Sequence, residues 1–424
     1  ALADGLGGLD TSLERPADEL ADGSYSYFAE GDLLLAKVTP CFENGKKALV
    51  TNLPNRIGFA TSEVHVIRPD RRKVDPNYLR YLLSSEAFRA AGIASMTGAG
   101  GLRRISDNAI KDFQLPVADL ATQNAIAAFL DRETARIDKL IVKRSRFVTL
   151  LKEARVAVVA RAVTQGIDPS VEFKDSGVDW LGQIPAHWQV VPPTALFTQS
   201  KERARDGDQL LSATQKYGVI PLAQYEELEQ RQVTLAVTNL EMRKHVEVGD
   251  FVISMRSMDG GLERARARGC VRSSYSVLKA GPDVDGRFYG SLLKSSLYVQ
   301  ALRQTANFIR DGQDMNFSHF RKVRLPKLDV QEQAAITDYI DAKTTRIDSL
   351  VTLTERSIGL LREHRAALIT AAVAGQMDFR ENLPTVISTS DRDRFRLVVG
   401  AEIIHQHRNN PKFGRVKLQK ELYL

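Results

Sequence analysis

The feature of this chain that most constrains its fold is an internal repeat 210 positions apart. The stretch 115–168 returns without a gap as 325–378, and the same register pairs Gln123 with Gln333. Repeats of about 20–50 residues would indicate a solenoid. This period is the size of a domain, so we interpret the chain as two copies of one unit. Such a chain can present itself as its own pseudo-dimer.

The repeated stretch has the pattern of a helix. Apolar residues recur at three- and four-residue steps, and Thr122 is a candidate N-terminal cap of the first copy. An apolar stripe of this width can pack one long helix against another. Interruptions such as Glu133 and Ser357 favour a two-helix pair over a long self-associating fibre. The alternative, two surface helices that each lie on their own domain, stays open.

A strand-rich globular region precedes each helical stretch. In the first, Gly31 opens the strand-like run GDLLLAKV, and residues 59–68 give a second run. Residues 75–89 are predicted to form one short helix. In the second region, Gly249 opens the similar run GDFVISMR. The globular regions resemble each other less than the helices do, which suggests a common scaffold that carries two heads with different targets.

Composition limits the classes of protein that the chain can belong to. At 424 residues it is expected to form two or three domains. With 59 Lys and Arg against 52 Asp and Glu, it permits a polyanionic partner, although an ordinary basic protein has the same balance. Cys41 and Cys270 are the only cysteines, so we expect no disulfide framework. The reducing cytoplasm is the compartment that we expect for this protein. The apolar runs are too short to predict a membrane span or a signal peptide.

Motifs of common enzymes are missing from the sequence. Residues 98–101 are not followed by Gly-Lys-Ser/Thr, so a flexible hairpin is the better interpretation than a phosphate loop. Residues 75–78 read Asp-Pro-Asn-Tyr, in which Asn77 breaks the Asp-Pro-Pro-Tyr motif of amino-methyltransferases, and helix capping by Asp75 is favoured. The seven histidines never have a paired metal-ligand spacing. We therefore expect no catalytic, cofactor or metal site in this chain.

Three sets of residues together resemble a known family: the segment DSGVDWLGQIPAHW at 175–188, the LP…Q…I…L…T..ID.L helix starts at Leu115 and Leu325, and the runs 38–50 and 58–69. On these motifs, the chain resembles the specificity subunit of a type I restriction-modification system. The likeness extends over roughly residues 1–381. In that family, two target-recognition domains are held apart by two long antiparallel conserved helices.

The resemblance implies an α+β fold with a two-copy, pseudo-symmetric plan. Counted against Trp180 and Gly249 of the second copy, about 40 residues are missing before Gly31, so we expect the first recognition domain to be truncated at its N-terminal side. The implied parts are a first recognition domain at 1–114, a spacer helix at 115–170, a second recognition domain at 171–324, a spacer helix at 325–381 and an extra, incomplete segment at 382–424.

Basic and amide side chains cluster in both globular regions. Lys and Arg on phosphates supply most of the affinity for DNA, while side chains that reach base edges read the sequence. The RARAR run would place Arg264, Arg266 and Arg268 on one face of a strand, although a solvated charged face has the same pattern. The candidate DNA-binding residues are Lys37, Thr39, Asn44, Lys46, Lys47, Arg103, Arg104, Arg256, Arg264, Arg266, Arg268, Arg310, Gln313 and Asn316.

The function implied by the resemblance is that of a non-catalytic recognition subunit. Each head would read half of a split site in double-stranded DNA, and the helices would dock two methyltransferase subunits, which restriction and translocase subunits join. S-adenosylmethionine, ATP and Mg²⁺ would bind those partners, with no cofactor in this chain. The alternative is a two-headed protein-binding scaffold without DNA recognition. A stand-alone nuclease or methyltransferase is disfavoured by the missing motifs.

Overall fold

The structure is a computed structural model in which the chain folds into two compact units. Unit 1 comprises residues 1–143 and 357–424, and unit 2 comprises residues 144–356. Two long helices, Leu120–Gln165 and Val330–Val373, each contribute one part to unit 1 and the rest to unit 2. We call them the first and the second long helix. The described residues are 8–11, 16, 23, 25–53, 55–99, 101–114, 118–233, 242–254, 257–305 and 315–379.

The centre of unit 1 is a three-stranded antiparallel sheet in which β2 lies between β3 and β5. Every residue of β2 is buried, as expected for its run of three leucines. The run 59–68, which we expected to form one strand, is divided by a turn at Ser62 and Glu63 between β4 and β5. The strands are β1 (Tyr25–Ala29), β2 (Leu33–Ala36), β3 (Lys47–Leu49), β4 (Ile57–Thr61), β5 (Val64–Ile67), β6 (Thr97–Ala99) and β7 (Leu102–Arg104).

Short helices follow this sheet. Asp75 caps the first of them, because its carboxylate accepts a hydrogen bond of 2.8 Å from the Tyr78 amide. The prediction of one helix over 75–89 is wrong. The first helix ends at Leu82, and Ser85, which has an extended backbone and accepts from the Phe88 amide, caps the next helix. The helices are α1 (Pro76–Leu82), α2 (Glu86–Ala94) and α3 (Asp107–Lys111).

In unit 1, the start of the first long helix packs antiparallel against the end of the second. Ile126 and Leu130 share a buried core with Leu368, and Arg365 Nε donates to Asp138 Oδ1 at 2.9 Å. These contacts confirm a two-helix pair over separate surface helices.

The N-terminal cap of the first long helix differs from the expected one. The helix begins at Leu120, and the carboxylate of Asp119 accepts hydrogen bonds from the amide and the hydroxyl of Thr122. The prediction of Thr122 as the cap is therefore wrong. An acidic side chain directly before the first turn reaches the free amide three residues later, which is the position that Thr122 occupies.

Unit 2 repeats the central sheet and extends it. Here β15 lies between β16 and β18 as β2 lies between β3 and β5, and β11 adds a fourth strand to β18. The strands are β8 (Phe173–Asp175), β9 (Gln183–Pro185), β10 (Gln189–Val191), β11 (Phe197–Ser200), β12 (Leu211–Thr214), β13 (Gly218–Pro221), β14 (Lys244–Val246), β15 (Phe251–Ile253), β16 (Glu263–Arg264), β17 (Gly269–Val271), β18 (Ser276–Ala280) and β19 (Leu325–Lys327).

The helical part of unit 2 also matches unit 1. Arg155 Nε on the end of the first long helix donates to Asp348 Oδ1 on the start of the second at 2.9 Å, 210 positions from the Arg365–Asp138 pair. A 3₁₀ turn covers Pro193–Ala195. The helices are α4 (Leu222–Glu229), α5 (Ser257–Gly260), α6 (Gly286–Leu292), α7 (Ser296–Gln304) and α8 (Phe317–Phe320).

In each unit, one glutamine joins the globular part that precedes a long helix, which we call the domain of that unit, to the start of that helix. In unit 1, Gln123 is buried and its Oε1 accepts from the Asp75 amide at 2.9 Å. In unit 2, Gln333 is buried and its Oε1 accepts from the Asp285 amide at 2.7 Å. Each Nε2 also donates to two backbone carbonyls, again at equivalent positions. The predicted two-copy α+β architecture is confirmed, and the internal repeat reproduces contacts as well as sequence.

The long helices do not have the character of membrane spans. Within the described ranges, no helix combines the length and the apolar composition that crossing a bilayer requires.

Candidate nucleic-acid interface

Three arginines of unit 2 form an exposed row. Arg264, Arg266 and Arg268 are exposed, while the residues between and before them are buried or half-buried. Only Arg264 lies in a strand, because β16 ends there. The next residues stay in place through backbone hydrogen bonds, including one from the Arg266 amide to the Val219 carbonyl at 2.9 Å. The alternation predicted from the sequence is therefore present, although the strand is shorter than expected. We call these three residues the arginine row.

The members of the arginine row have different surroundings. The Arg264 guanidinium lies against Gly286 at the start of α6, where a Cβ atom would come within 2.7 Å of its Nε. Arg266 lies beside Gly218. Within the described ranges, neither side chain forms an ion pair, whereas Arg268 Nε lies 3.9 Å from carboxylate oxygens of both Asp208 and Glu247. In the described ranges, Arg264 and Arg266 therefore have no carboxylate within ion-pair distance, although the Arg266 charge acts on Glu263 and opposes the rise that burial causes in the pKa of that carboxyl.

A buried histidine lies beside Arg268. The His245 side chain has no exposed surface, and its Nδ1 lies 2.7 Å from Asp208 Oδ2 while its Nε2 lies 2.8 Å from Glu247 Oε1. Burial alone would lower the pKa of His245, but the two carboxylate hydrogen bonds outweigh it and raise that pKa. Sequence reasoning missed this group, because Asp208 lies far from His245 along the chain and no local motif marks the pair.

The predicted residues of unit 1 come together at one edge of the first domain. Lys37 follows β2, and Thr39, Asn44 and Lys46 lie in the turn between β2 and β3. The Thr39 hydroxyl accepts from the Arg103 amide at 2.8 Å and lies 2.9 Å from its carbonyl oxygen. This turn is thereby joined to the β6–β7 hairpin, and the pairing of β6 with β7 confirms the predicted hairpin, although residue 100 lies outside the described residues.

Three cations of this edge already have acidic partners. Arg103 pairs with Glu43 at 2.7 Å, Arg104 pairs with Glu63 at 2.7 Å, and Lys37 Nζ lies 3.9 Å from Asp107. The hydrogen bond from Arg104 lowers the pKa of Glu63 below its usual value. Exposed pairs of this kind are weak because solvent screens them. A phosphate can therefore compete with the carboxylates for these side chains.

Lys47 differs from the other candidates of unit 1. It lies in β3, half-buried, and burial lowers its pKa to about 8, with further lowering from the nearby charges of Arg365 and Arg80. Those two arginines belong to the second long helix and to α1. Lys47 is thus close to the helix pair of its unit.

Asn316 serves as a helix cap. Its Oδ1 accepts from the Ser318 amide at 2.9 Å and from the Ser318 hydroxyl at 2.7 Å at the start of α8. The carboxamide oxygen therefore accepts two hydrogen bonds within the protein, and a DNA contact by Asn316 stays a prediction. Arg256, Arg310 and Gln313 lie outside the described residues. Across the described ranges, no three His, Cys, Asp or Glu side chains form a group that could hold a metal ion.

The long helices carry exposed apolar side chains at equivalent positions. Unit 1 exposes Leu140 and Leu360, by 40% and 45%. Unit 2 exposes Leu350 and Leu150, by 37% and 45%. Leu350 follows Leu140 by 210 positions, and Leu360 follows Leu150 by the same distance. Each unit therefore presents the same pair of exposed leucines, one from either helix.

Unit 2 also has a groove at the end of the first long helix. Its volume is about 400 Å³, and Ile167, Phe173 and Tyr339 contribute apolar surface to it. Arg161 and Asp168 supply its charged groups. The groove adds to the apolar surface of the helix pair in this unit.

Comparison with solved structures gives the class to which this fold belongs. No protein-family model matches the chain. One solved structure matches this chain with a TM-score of 0.62. Its description is the structural basis underlying complex assembly and conformational transition of the type I restriction-modification system. The match has 17% sequence identity and covers 84% of this chain and 85% of the other. The fold is therefore that of a chain from a type I restriction-modification complex.

Curated relatives are specificity subunits of such systems. The chain is 38% identical over 102 residues to the EcoAI specificity subunit of Escherichia coli, a match that covers 24% of this chain and 17% of that protein. It is 21% identical over 367 residues to the putative MjaX specificity subunit of Methanocaldococcus jannaschii, covering 82% and 78%. The resemblance to type I specificity subunits is confirmed by these relatives. The chain spans less than a fifth of the length of the first of them.

Proposed function

We propose that this chain is the non-catalytic DNA-recognition subunit of a type I restriction-modification complex. Each domain reads one half of a split DNA site. The observation that carries the proposal is the repeated attachment of two unlike domains to one pair of similar helices through Gln123 and Gln333. A conserved attachment with divergent loops is what a protein needs when its two heads recognise different sequences on one scaffold.

The exposed cations of both domains support DNA as the ligand. In the second domain, Arg264 and Arg266 have no competing carboxylate at ion-pair distance in the described part of the chain. In the first domain, the turn that holds Asn44 lies beside the hairpin that holds Arg103 and Arg104. Guanidinium and amide groups bind phosphates and also pair with guanine and adenine edges. The arginine row and this paired edge are therefore the proposed DNA-contacting surfaces.

The equivalent leucines support a pair of docking surfaces. Single exposed apolar residues are common and need no explanation. Their recurrence at matched positions in both units fits two copies of one partner. We assign these surfaces to two methyltransferase subunits, with restriction and translocase subunits joining the complex. S-adenosylmethionine, ATP and Mg²⁺ bind those partners, and this chain contributes recognition.

The test is to separate recognition from catalysis. The purified chain is incubated with labelled S-adenosylmethionine, and separately with ATP and Mg²⁺, on DNA of random sequence. We expect neither methyl transfer nor cleavage. Co-expressed with a type I methyltransferase subunit, the chain should direct adenine methylation to one split motif, mapped by long-read sequencing. Catalysis by the chain alone, or a complex that forms without any DNA binding, would contradict the proposal, and the second outcome favours a protein-binding scaffold.

A further inference from the structure

We propose that His245 is a positioning residue of the second domain, which carries a positive charge at neutral pH and keeps Arg268 available to DNA. The inference rests on the proposed function, because it assigns a role within DNA binding. Its consequence is that the affinity of the chain for DNA falls as the pH rises above neutral.

The hydrogen bonds of the imidazole define its charge. Nδ1 faces Asp208 at 2.7 Å and Nε2 faces Glu247 at 2.8 Å. An ionised carboxylate only accepts hydrogen bonds, so both ring nitrogens must donate. A neutral imidazole has a single N–H and would direct a lone pair at one of the two carboxylates. The geometry therefore fits the imidazolium form.

The surrounding charges favour the same form. The pKa values of Asp208 and Glu247 are both lowered, with hydrogen bonds to His245 among the causes, so the two carboxylates remain ionised. Arg205 bonds Glu247 at 3.1 Å. Burial raises the pKa of Asp250, whose Oδ2 accepts from the Glu247 amide. The groups that face the cluster are Asp208, Glu247, Asp250, Glu202, Arg205, Arg268, Lys279 and the Cys270 thiol on the paired strand.

Arg268 is connected to the same two carboxylates. Its Nε lies 3.9 Å from Asp208 Oδ1 and 3.9 Å from Glu247 Oε1, beyond the length of a hydrogen bond. Its carbonyl accepts from Gln209 Nε2 at 3.0 Å, which fixes the backbone. When His245 is charged, both carboxylates accept a hydrogen bond from the imidazole. The Arg268 guanidinium is then attracted to the carboxylates without forming a hydrogen bond to them.

Loss of the imidazole proton changes this balance. One carboxylate then loses the imidazole donor, and the net charge of the cluster falls by one. Each carboxylate keeps a donor from Arg205, whose amide bonds Asp208 Oδ2 at 2.8 Å and whose guanidinium bonds Glu247 Oε1 at 3.1 Å. The Arg268 guanidinium, whose Nε lies 3.9 Å from an oxygen of each carboxylate, is drawn toward the more negative cluster and withdraws from DNA. The protonated form is thus the form that binds DNA, and one coupled proton limits the effect to about tenfold in affinity per pH unit.

The test uses the full chain and a short fluorescent duplex of random sequence at fixed ionic strength. Binding is titrated from about pH 6 to about pH 9, a range that includes the usual histidine pKa. The wild type should lose affinity with rising pH. Arg268→Ala should remove that loss. The matched control Arg266→Ala, from the same row but, among the described residues, with no ion pair to Asp208 or Glu247, should bind more weakly and keep the wild-type pH dependence.

A second measurement reads His245 directly. Nitrogen NMR of the wild type should find both ring nitrogens protonated at neutral pH. A neutral His245, or equal pH dependence in wild type and Arg268→Ala, refutes the inference while leaving DNA binding and the proposed function intact. Absence of DNA binding by the wild type at every pH instead refutes the proposed function, and the inference falls with it.

Discussion

Replacing Gln333 by Ala tests whether the repeated glutamine attaches each domain to its helix. The Gln333 side chain has no exposed surface and makes three hydrogen bonds, to the Asp285 amide at 2.7 Å and to the carbonyls of Asp283 and Leu328 at 2.9 Å each. The alanine variant leaves one donor and two acceptors without their partner.

The magnitude follows from those three groups. A polar group left unsatisfied in the interior costs about 1–3 kcal/mol. Two of the three bonds are only partly buried, so water can replace them in part, and the low end of the range applies. We expect Gln333→Ala to lower the free energy of unfolding by about 3 kcal/mol. At about 1–3 kcal/mol per molar of urea, this moves the midpoint of the affected transition by about 1 M or more.

The assay is urea unfolding of the full chain followed by circular dichroism. Gln123→Ala, the equivalent change in unit 1, should reduce stability by a similar amount, because it removes the same three kinds of bond. Gln331→Ala is the matched control, since Gln331 is exposed on the same helix. A decrease below about 0.5 kcal/mol in Gln333→Ala, the range of ordinary surface substitutions, would refute the reasoning.

Three further predictions concern charge. Changing Arg264, Arg266 and Arg268 together to Ala should weaken DNA binding. It should also reduce the slope of log affinity against log salt concentration by about 0.9 for each phosphate that the chain no longer neutralises. An unchanged slope would show that the arginine row is an ordinary solvated face. The raised pKa of His245 contributes stability that is complete below its unfolded value of about 6.5 and is lost as the pH rises through the folded value. Urea unfolding across this range should show the decline, and a flat profile would contradict it. The pKa of Lys47 is lowered to about 8 in the folded state, so the unfolded state of the protein binds more protons between about pH 8 and about pH 10. The free energy of unfolding should therefore rise over that range. Lys47→Met should remove that rise, and its persistence would show that another group causes it.

The sequence predicted the architecture because the repeat is long and keeps its register. Positions that recur without a gap over a helical stretch must serve the same contacts in both copies, and the two buried glutamines do so. Local caps were partly predictable. Asp75 was identified, whereas Ser85 was missed, since the apolar pattern continues across the short break between α1 and α2.

The candidate interface was less predictable. The alternating exposure of the arginine row was predictable from the spacing of its residues, although only Arg264 lies in a strand. The cluster around His245 forms because the fold brings Asp208 close to His245 and Glu247. No pattern of spacing in the sequence predicts that contact. The cap role of Asn316 was missed because an amide before a short helix has the same sequence signal as one that reads a base. The DNA contacts themselves stay predictions.

Exchange of one domain tests the central claim most directly. Residues 171–324 are replaced by the corresponding domain of a known type I specificity subunit, and the hybrid is co-expressed with a type I methyltransferase subunit. Methylated adenines are then mapped by long-read sequencing. If each domain reads one half of the site, one half of the motif changes while the other half and the gap between them are retained. A hybrid that assembles and methylates, yet changes both halves or neither, would contradict the account.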